Sequence, residues 1–364
     1  MTIQDPQVAI SVVIPTYNRT KLLKETIPAL AKQETGGRTY EVIFVSNGST
    51  DHTPEVLAQA ERDHPGLIRW DHIKPTGGPS APRNRGIEMA EAPVVLILDD
   101  DVVPEPDMVR AHAEFHERHP EETSCGLGEA YVPEELLHDC LALFHAYPYD
   151  EVRRLDTLTH QHFWTCCVSF KRRFMLEHGM FDESLLYYED VEVARRLADA
   201  GMVLRFVPAA RGAHLHQLRA SGVPAKGEFT GRWLFAFEQR FPEPEIRRRH
   251  GILHPSIGSA AYARRLLNRL GFFAVASAPS MGLMRAMGAT RGARSKLSDL
   301  YYYCLFRKNM LRGYREARRE ARQQAAADAV HRRRLSDSSW VDRGESEFER
   351  GNAPPLAERG VAEG

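Results

Sequence analysis

The first hundred residues alternate between two hydrophobic periods, and this alternation restricts the chain more than any other feature. Ala9–Tyr17 (AISVVIPTY) is a β-branched apolar run, the pattern of a strand buried on both faces, and Leu22, Leu23, Ile27 and Leu30 follow it at helical spacing. The unit then repeats. Tyr40–Ser46 (YEVIFVS) reads as a strand, Thr53 before Pro54 supplies an N-cap hydroxyl and a proline at the first helical position, and Leu67–Lys74 (LIRWDHIK) reads as a third strand. A helix beginning near Pro79 and the apolar strand Ala92–Asp101 (APVVLILDDD) complete a β-α-β-α-β-α-β order. This order predicts an α/β fold with a Rossmann-like, mostly parallel central sheet flanked by helices, and ligands at the carboxyl ends of its strands.

Beyond Asp101 the rhythm changes. Helices are expected over Pro106–His119, Glu134–Ala146 and Tyr187–Gly201, and strands over Leu127–Val132, His162–Phe170 and from Met202 to His214. From about residue 245 the chain reads as helical and basic, and from about 323 as polar, rich in Gly, Pro, Glu and Ser. The expected organisation is a first domain over residues 1–245, a helical C-terminal extension over 246–322 and a disordered tail over 323–364. No internal repeat is visible.

The formal net charge of −1 hides a segregation. Residues 1–255 hold 28 Lys/Arg against 38 Asp/Glu, residues 256–322 hold 14 against 3, and residues 323–364 hold 6 against 8. An acidic body with a basic arm points to an anionic partner, a membrane surface or a nucleic acid. The five cysteines include the adjacent Cys166 and Cys167 and form no CxxC, so they read as reduced thiols of a cytoplasmic protein. No positively charged segment precedes an apolar one at the N-terminus, which argues against a signal peptide. The longest uncharged apolar-rich run, Leu270–Met284, contains Pro279 and falls short of the roughly 20 residues a spanning helix needs.

Four clusters can carry chemistry. Asp99, Asp100 and Asp101 end an apolar strand; adjacent carboxylates repel unless they hold a cation or a basic ligand, and strand alternation sets Asp99 and Asp101 on one face. An acidic loop start is the plain alternative. Tyr187, Tyr188, Glu189 and Asp190 open a helix, where the dipole alone also favours acidic residues. His214 and His216, two apart near a strand end, offer nitrogen ligands or serve as structural histidines. Gly77–Gly86 (GGPSAPRNRG) lets backbone approach a ligand and supplies Arg83 and Arg85 for phosphates or carboxylates, yet it is neither a dinucleotide fingerprint nor a P-loop.

Taken in order, VVIPTYNR (Val12–Arg19), VSNGSTD (Val45–Asp51), GGPSAPRNRG, LILDDDVVPEPD (Leu96–Asp107), WTCCVSFKRRFMLEHGMFDESL (Trp164–Leu185), YYEDVEVARRLADAG (Tyr187–Gly201) and AHLHQ (Ala213–Gln217) form a specific set. Over about residues 8–220 this set resembles the family 2 glycosyltransferases of GT-A fold. The resemblance implies transfer of a sugar from a nucleotide-sugar donor to the hydroxyl of a saccharide or lipid-linked acceptor, inverting and dependent on a divalent metal (Mn²⁺ or Mg²⁺). Polysaccharide, glycolipid or cell-envelope glycan synthesis would use such a step. Residues 8–105 then form the nucleotide-binding half and 106–220 the acceptor half.

Carried over residue by residue, Pro15, Thr16, Tyr17, Asn18, Arg19 and the Asn47 region line the nucleoside pocket. Gly78 belongs to the donor site, and Arg83 lies near the phosphates or buttresses the aspartates. Asp99 and Asp100 contact ribose or metal, and Asp101 is the metal ligand. Asp190, with Glu189 beside it, matches an acidic pair in which one carboxylate is the base. His214 matches a histidine that some members add as a metal ligand, with His216 as the other choice. Trp164 is a candidate for stacking on a sugar, or for the core. Where many relatives have two aspartates before GS, this chain has Ser46 and Asn47, an amide in place of the carboxylate that reads uracil, which leaves the donor nucleotide open.

The chemistry independently wants these groups. A departing nucleoside diphosphate builds negative charge that a divalent cation neutralises, and one positioned carboxylate assists proton removal by roughly 10²–10⁴-fold. A single base opposite the leaving group gives inversion. Two other functions suit such a fold. A catalytically silent sugar-nucleotide-binding or scaffold protein would not need Asp101, Asp190 and His214 together. A sugar-1-phosphate nucleotidyltransferase would want a GxGTR-type loop where this chain has PTYNRT (Pro15–Thr20).

In residues 256–322, apolar patches broken by Gly and Pro are flanked by Arg and Lys, with Tyr301, Tyr302, Tyr303 and Phe306 beside Arg307 and Lys308. This fits interfacial helices on an anionic membrane, a peripheral position at the inner face of the plasma membrane, where each cation adds about 1 kcal/mol. The alternative is a helical subdomain packed on the catalytic domain or on a second copy in a homo-oligomer. Nucleic acid is not expected, since no recognition module appears and apolar residues dominate between the charges.

Overall fold

The β-branched runs build the centre of one sheet. In the computed structural model, which describes residues 8–137, 147–215, 218, 220–241, 272, 274–290 and 294–348, the strands are β1 (Val8–Thr16), β2 (Thr39–Asn47), β3 (Ile68–Ile73), β4 (Val94–Leu98), β5 (Val102–Pro104), β6 (Ser124–Tyr131), β7 (Cys167–Lys171) and β8 (Val203–His214). Their order is β3-β2-β1-β4-β7-β6-β8-β5. Ile10, Val12, Val13 and Ile14 of β1 and the whole of β4 are buried, as strands covered on both faces must be. The connecting helices are α1 (Thr20–Ala31), α2 (Thr53–Asp63) and α3 (Ser80–Met89).

β1 pairs in parallel with β2 and β4, and β2 with β3. The chain therefore builds outward from β1 on one side and returns to add β4 on the other. This places a topological switch point at the carboxyl ends of β1 and β4. From β4 onward the sheet is mixed: β7 runs antiparallel to β4 and to β6, β8 is parallel to β6, and β5 is antiparallel to β8. The parallel expectation holds for the first half of the sheet.

Three local expectations change. The run ending at Asp101 leaves the sheet at Leu98, because the Asp99 carbonyl accepts from the Val102 amide at 3.1 Å in a turn. The three carboxylates thus sit in a turn, and strand alternation does not set their directions. The stretch from His162 is not yet a strand: His160–His162 is a 3₁₀ turn capped reciprocally by Thr159 and His162, and β7 starts at Cys167. Of the helix expected over Glu134–Ala146, α4 (Met108–Arg118) is followed by α5 (Glu134–Leu137), and residues 138–146 lie outside the described ones. The short helices α6 (Tyr149–Val152) and α7 (Arg172–Glu177) precede α8 (Glu189–Asp199).

The C-terminal part is helical, with α9 (Val223–Arg240), α10 (Ala278–Ala286) and α11 (Lys296–Phe348). Leu234 and Phe235 of α9 pack against Met310, Leu311 and Tyr314 of α11, while Arg232 reaches Glu316 and Glu320 at 3.3 and 2.9 Å. The two helices approach so closely that a Cβ at Gly231 would overlap the Met310 carbonyl, an approach that glycine permits. Tyr301 and Tyr302, expected to face a membrane, are instead 2% exposed and cluster with Val223, Met281 and Met284. That face of α11 buries apolar area within the protein itself. α11 also carries the polar stretch as far as Phe348, where disorder was expected, since Gln323–Val330 (QQAAADAV) is rich in strong helix formers. Among the described residues no helix is long and apolar enough to cross a membrane.

Candidate active site

Loops at the carboxyl ends of β1, β2 and β4 enclose a cavity of about 700 Å³. Pro15, Thr16, Tyr17 and Arg19 line it from the end of β1, Asn47 from β2, Gly78 and Arg83 from the α3 region, and Asp99, Asp100 and Asp101 from the turn after β4. Asn18 does otherwise. With φ at 53°, it accepts at its side-chain oxygen from the Thr50 and Asp51 amides at 2.8 and 3.3 Å, and so ties two loops together. The Asn47 amide is also engaged: Nδ2 donates to the Gly78 carbonyl at 2.9 Å and Oδ1 accepts from the Thr76 amide at 3.0 Å, fixing the glycine loop.

Arginines hold the aspartate turn. Arg19 Nε lies 3.2 Å from Asp100 Oδ1, and its Nη2 lies 3.7 Å from Asp101 Oδ2. Arg83, 4% exposed, reaches Glu189 Oε1 at 2.6 Å and Asp99 Oδ1 at 3.4 Å, with its guanidinium over the Phe181 ring. It can do so because α3 lies against β1, where a Cβ at Gly86 would overlap Val13. Burial pushes Asp100 up to about 7 against the pull of Arg19, and burial likewise raises Asp99 against the pull of Arg83.

Glu189 and Asp190 begin α8 directly after Tyr188, which is held at φ 66°. This strained entry lets adjacent carboxylates serve different places. Both line a second cavity of about 370 Å³ together with Tyr147, Trp164 and Tyr187, walled by Thr230 of α9 and by Phe306 and Met310 of α11, but Glu189 is held by Arg83. Asp190 Oδ1 accepts from the Val191 amide at 2.8 Å. Burial pushes its carboxyl up to about 7, the Glu189 charge adds to this, and Arg83 opposes it. Trp164 is both core and wall: it is buried, stacks on Tyr147 at 4.7 Å, and donates its indole N–H to the Gln161 carbonyl at 3.1 Å. Tyr147 borders both cavities.

The short β5 sets Val102 opposite His214 and brings His214 Nε2 to 3.4 Å from Asp101 Oδ1, at the rim of the first cavity. A carboxylate beside an imidazole suits Mn²⁺ or Mg²⁺, ions that often take few protein ligands and complete their shell with substrate phosphates. Among the described residues no cluster of three or more His, Cys, Asp or Glu is arranged to hold a metal, and His216 lies outside those residues. Two polar lining residues were not read from the sequence, Tyr147 and Lys226 of α9. Neither belongs to a motif, and tertiary packing alone brings them to the site.

The architecture is that of the GT-A-fold glycosyltransferases. It is shared with a mannosyltransferase from Pyrobaculum calidifontis solved with GDP-Man and Mn²⁺, at 18% identity over 86% of this chain and 88% of that one, TM-score 0.54. Residues 11–179 match the glycosyl transferase family 2 model. Validoxylamine A glucosyltransferase of Streptomyces hygroscopicus subsp. limoneus is 30% identical over 223 residues, 53% of this chain and 48% of that protein. Poly(ribitol-phosphate) beta-glucosyltransferase of Bacillus spizizenii is 35% identical over 92 residues, 25% of this chain and 14% of that protein. The chain thus spans about half, or less, of the length of these relatives.

Proposed function

We propose that the chain transfers a sugar from a nucleotide-sugar donor bound in the first cavity to an acceptor hydroxyl bound in the second, with inversion and with Asp190 as the base. One observation carries this reading. Both members of the acidic pair line the second cavity, but Glu189 is committed to Arg83 at 2.6 Å, and through it to Asp99 in the first, which leaves Asp190 to meet the acceptor. The acceptor oxygen attacks the anomeric carbon, its proton passes to Asp190, and the bond from that carbon to the phosphate oxygen breaks with its electron pair leaving on the nucleoside diphosphate. Attack opposite the leaving group inverts the centre. Asp101 and His214 would hold a divalent ion, which when bound supplies Lewis-acid neutralisation of the departing diphosphate. Pro15, Thr16, Tyr17, Arg19 and Asn47 line the pocket for the nucleoside, and Asp99 and Asp100 take the ribose or the ion. Aromatic walls suit the apolar face of an acceptor sugar ring.

The test is a thermal-shift panel of UDP-, GDP-, dTDP- and CMP-sugars with and without Mn²⁺. A ligand at about 100 times its Kd stabilises the folded chain by about 2.7 kcal/mol. One nucleotide class should raise the Tm, and more so with Mn²⁺. No shift with any of the four overturns the donor assignment.

We also propose that α10 and the start of α11 rest on an anionic membrane, which would favour a lipid-linked acceptor. Leu283, Met287, Leu300 and Tyr303 are exposed there, beside the exposed Arg285, Lys296 and Lys308. The full chain should sediment with phosphatidylglycerol vesicles at low salt, and Leu283→Glu with Met287→Glu should abolish this. Failure of the wild-type chain to sediment rejects the proposal.

A further inference from the structure

We infer that Lys226 of α9 binds the diphosphate of the donor, so that the C-terminal helices complete the nucleotide site; this rests on the nucleotide-sugar reading above. Among the described residues three Arg or Lys side chains line the first cavity, Arg19, Arg83 and Lys226. Two are already committed. Arg19 is taken by Asp100 and Asp101, and Arg83 by Glu189 and Asp99. Among the described residues no carboxylate lies within ion-pair distance of the Lys226 ammonium; burial lowers its pKa, and the charge of Asp101 offsets part of this.

A cavity walled by three aspartates repels a diphosphate unless positive charge faces it. The arginines largely offset the aspartates, and among the described residues Lys226 is the cation left to meet the ligand. Its compact ammonium, with three donors on a flexible stem, suits phosphate oxygens that gain charge as the leaving group departs. Position supports the same role. Thr230, four residues on and hence on the same face of α9, lines the second cavity, and Tyr147 borders both cavities. α9 therefore spans the boundary at which the bond between sugar and phosphate must lie, with Lys226 on the phosphate side.

Binding of UDP, GDP, dTDP and CMP, and of the corresponding monophosphates and nucleosides, is measured calorimetrically in EDTA for wild type, Lys226→Met and Lys226→Arg. The wild type should bind one nucleoside diphosphate more tightly than its monophosphate. Lys226→Met should lose about tenfold or more in diphosphate affinity, the size of one charge-assisted hydrogen bond, with nucleoside affinity and unliganded Tm unchanged, and Lys226→Arg should recover part of the loss. An unaltered diphosphate preference in Lys226→Met overturns this inference and leaves the donor reading intact. No binding of any nucleotide by the wild type overturns both.

Discussion

Asp190→Asn is expected to lower sugar transfer by about 10²–10⁴-fold, the usual worth of a positioned general base, with nucleotide-sugar binding nearly unchanged. The amide keeps the shape of the side chain at the wall of the second cavity but cannot accept the acceptor's proton. The base works as the carboxylate, so wild-type activity should climb about tenfold per pH unit on the acid side and level off above about pH 7, where burial has placed the Asp190 carboxyl. The variant should lack that limb. Stability should move the other way. A carboxyl whose folded pKa is raised is favoured neutral in the folded protein, so its ionisation above that pKa opposes folding, and replacing it by a neutral amide relieves the cost. Initial rates of nucleotide release across pH, with Tm measured at neutral pH, check both signs. Full activity in the variant rejects Asp190 as the base.

The parts of the site that sit in local patterns were legible in the sequence. The alternation of periods located β1, β2 and β4 and hence the ends from which Pro15, Asn47 and Asp99 project. Adjacent carboxylates at Asp99–Asp101 and Glu189–Asp190 carry a cost that local propensity does not explain, and each proved to be compensated by a buried or half-buried arginine. What the sequence hid is what tertiary packing decides. Asn18 looks like a ligand-facing residue of VVIPTYNR, yet its side chain closes a loop. Tyr301 and Tyr302 carry the same aromatic signal as Tyr303, but helix rotation buries the first two and exposes the third. The same basic flanks could have served a membrane or a protein face, and only the packing of α10 against α11 separates them. Lys226 gave no signal at all, since a lone lysine on a helix has no pattern until the helix is laid across a cavity.

Arg83→Met should destabilise the fold by about 3–5 kcal/mol, as breaking a buried ion pair does by leaving a charge uncompensated. The substitution keeps an unbranched side chain of similar length, so the loss is chiefly electrostatic. Glu189, also buried, is left without its 2.6 Å partner, and Asp99 loses the cation that holds it at the cavity wall. Contact of the guanidinium with the Phe181 ring is lost as well, although methionine can replace much of it. The double variant Arg83→Met with Glu189→Gln separates the causes, because removing both charges is often close to neutral where removing one is not. Urea denaturation of the single and double variants should show a large fall in midpoint for Arg83→Met and substantial recovery in the pair. If the pair is no more stable than the single variant, Arg83 is held by packing on Phe181 and by Asp99 rather than by Glu189. The link from the first cavity to the start of α8 would then be mechanical, and the orientation of Asp190 would owe nothing to the charge on its neighbour.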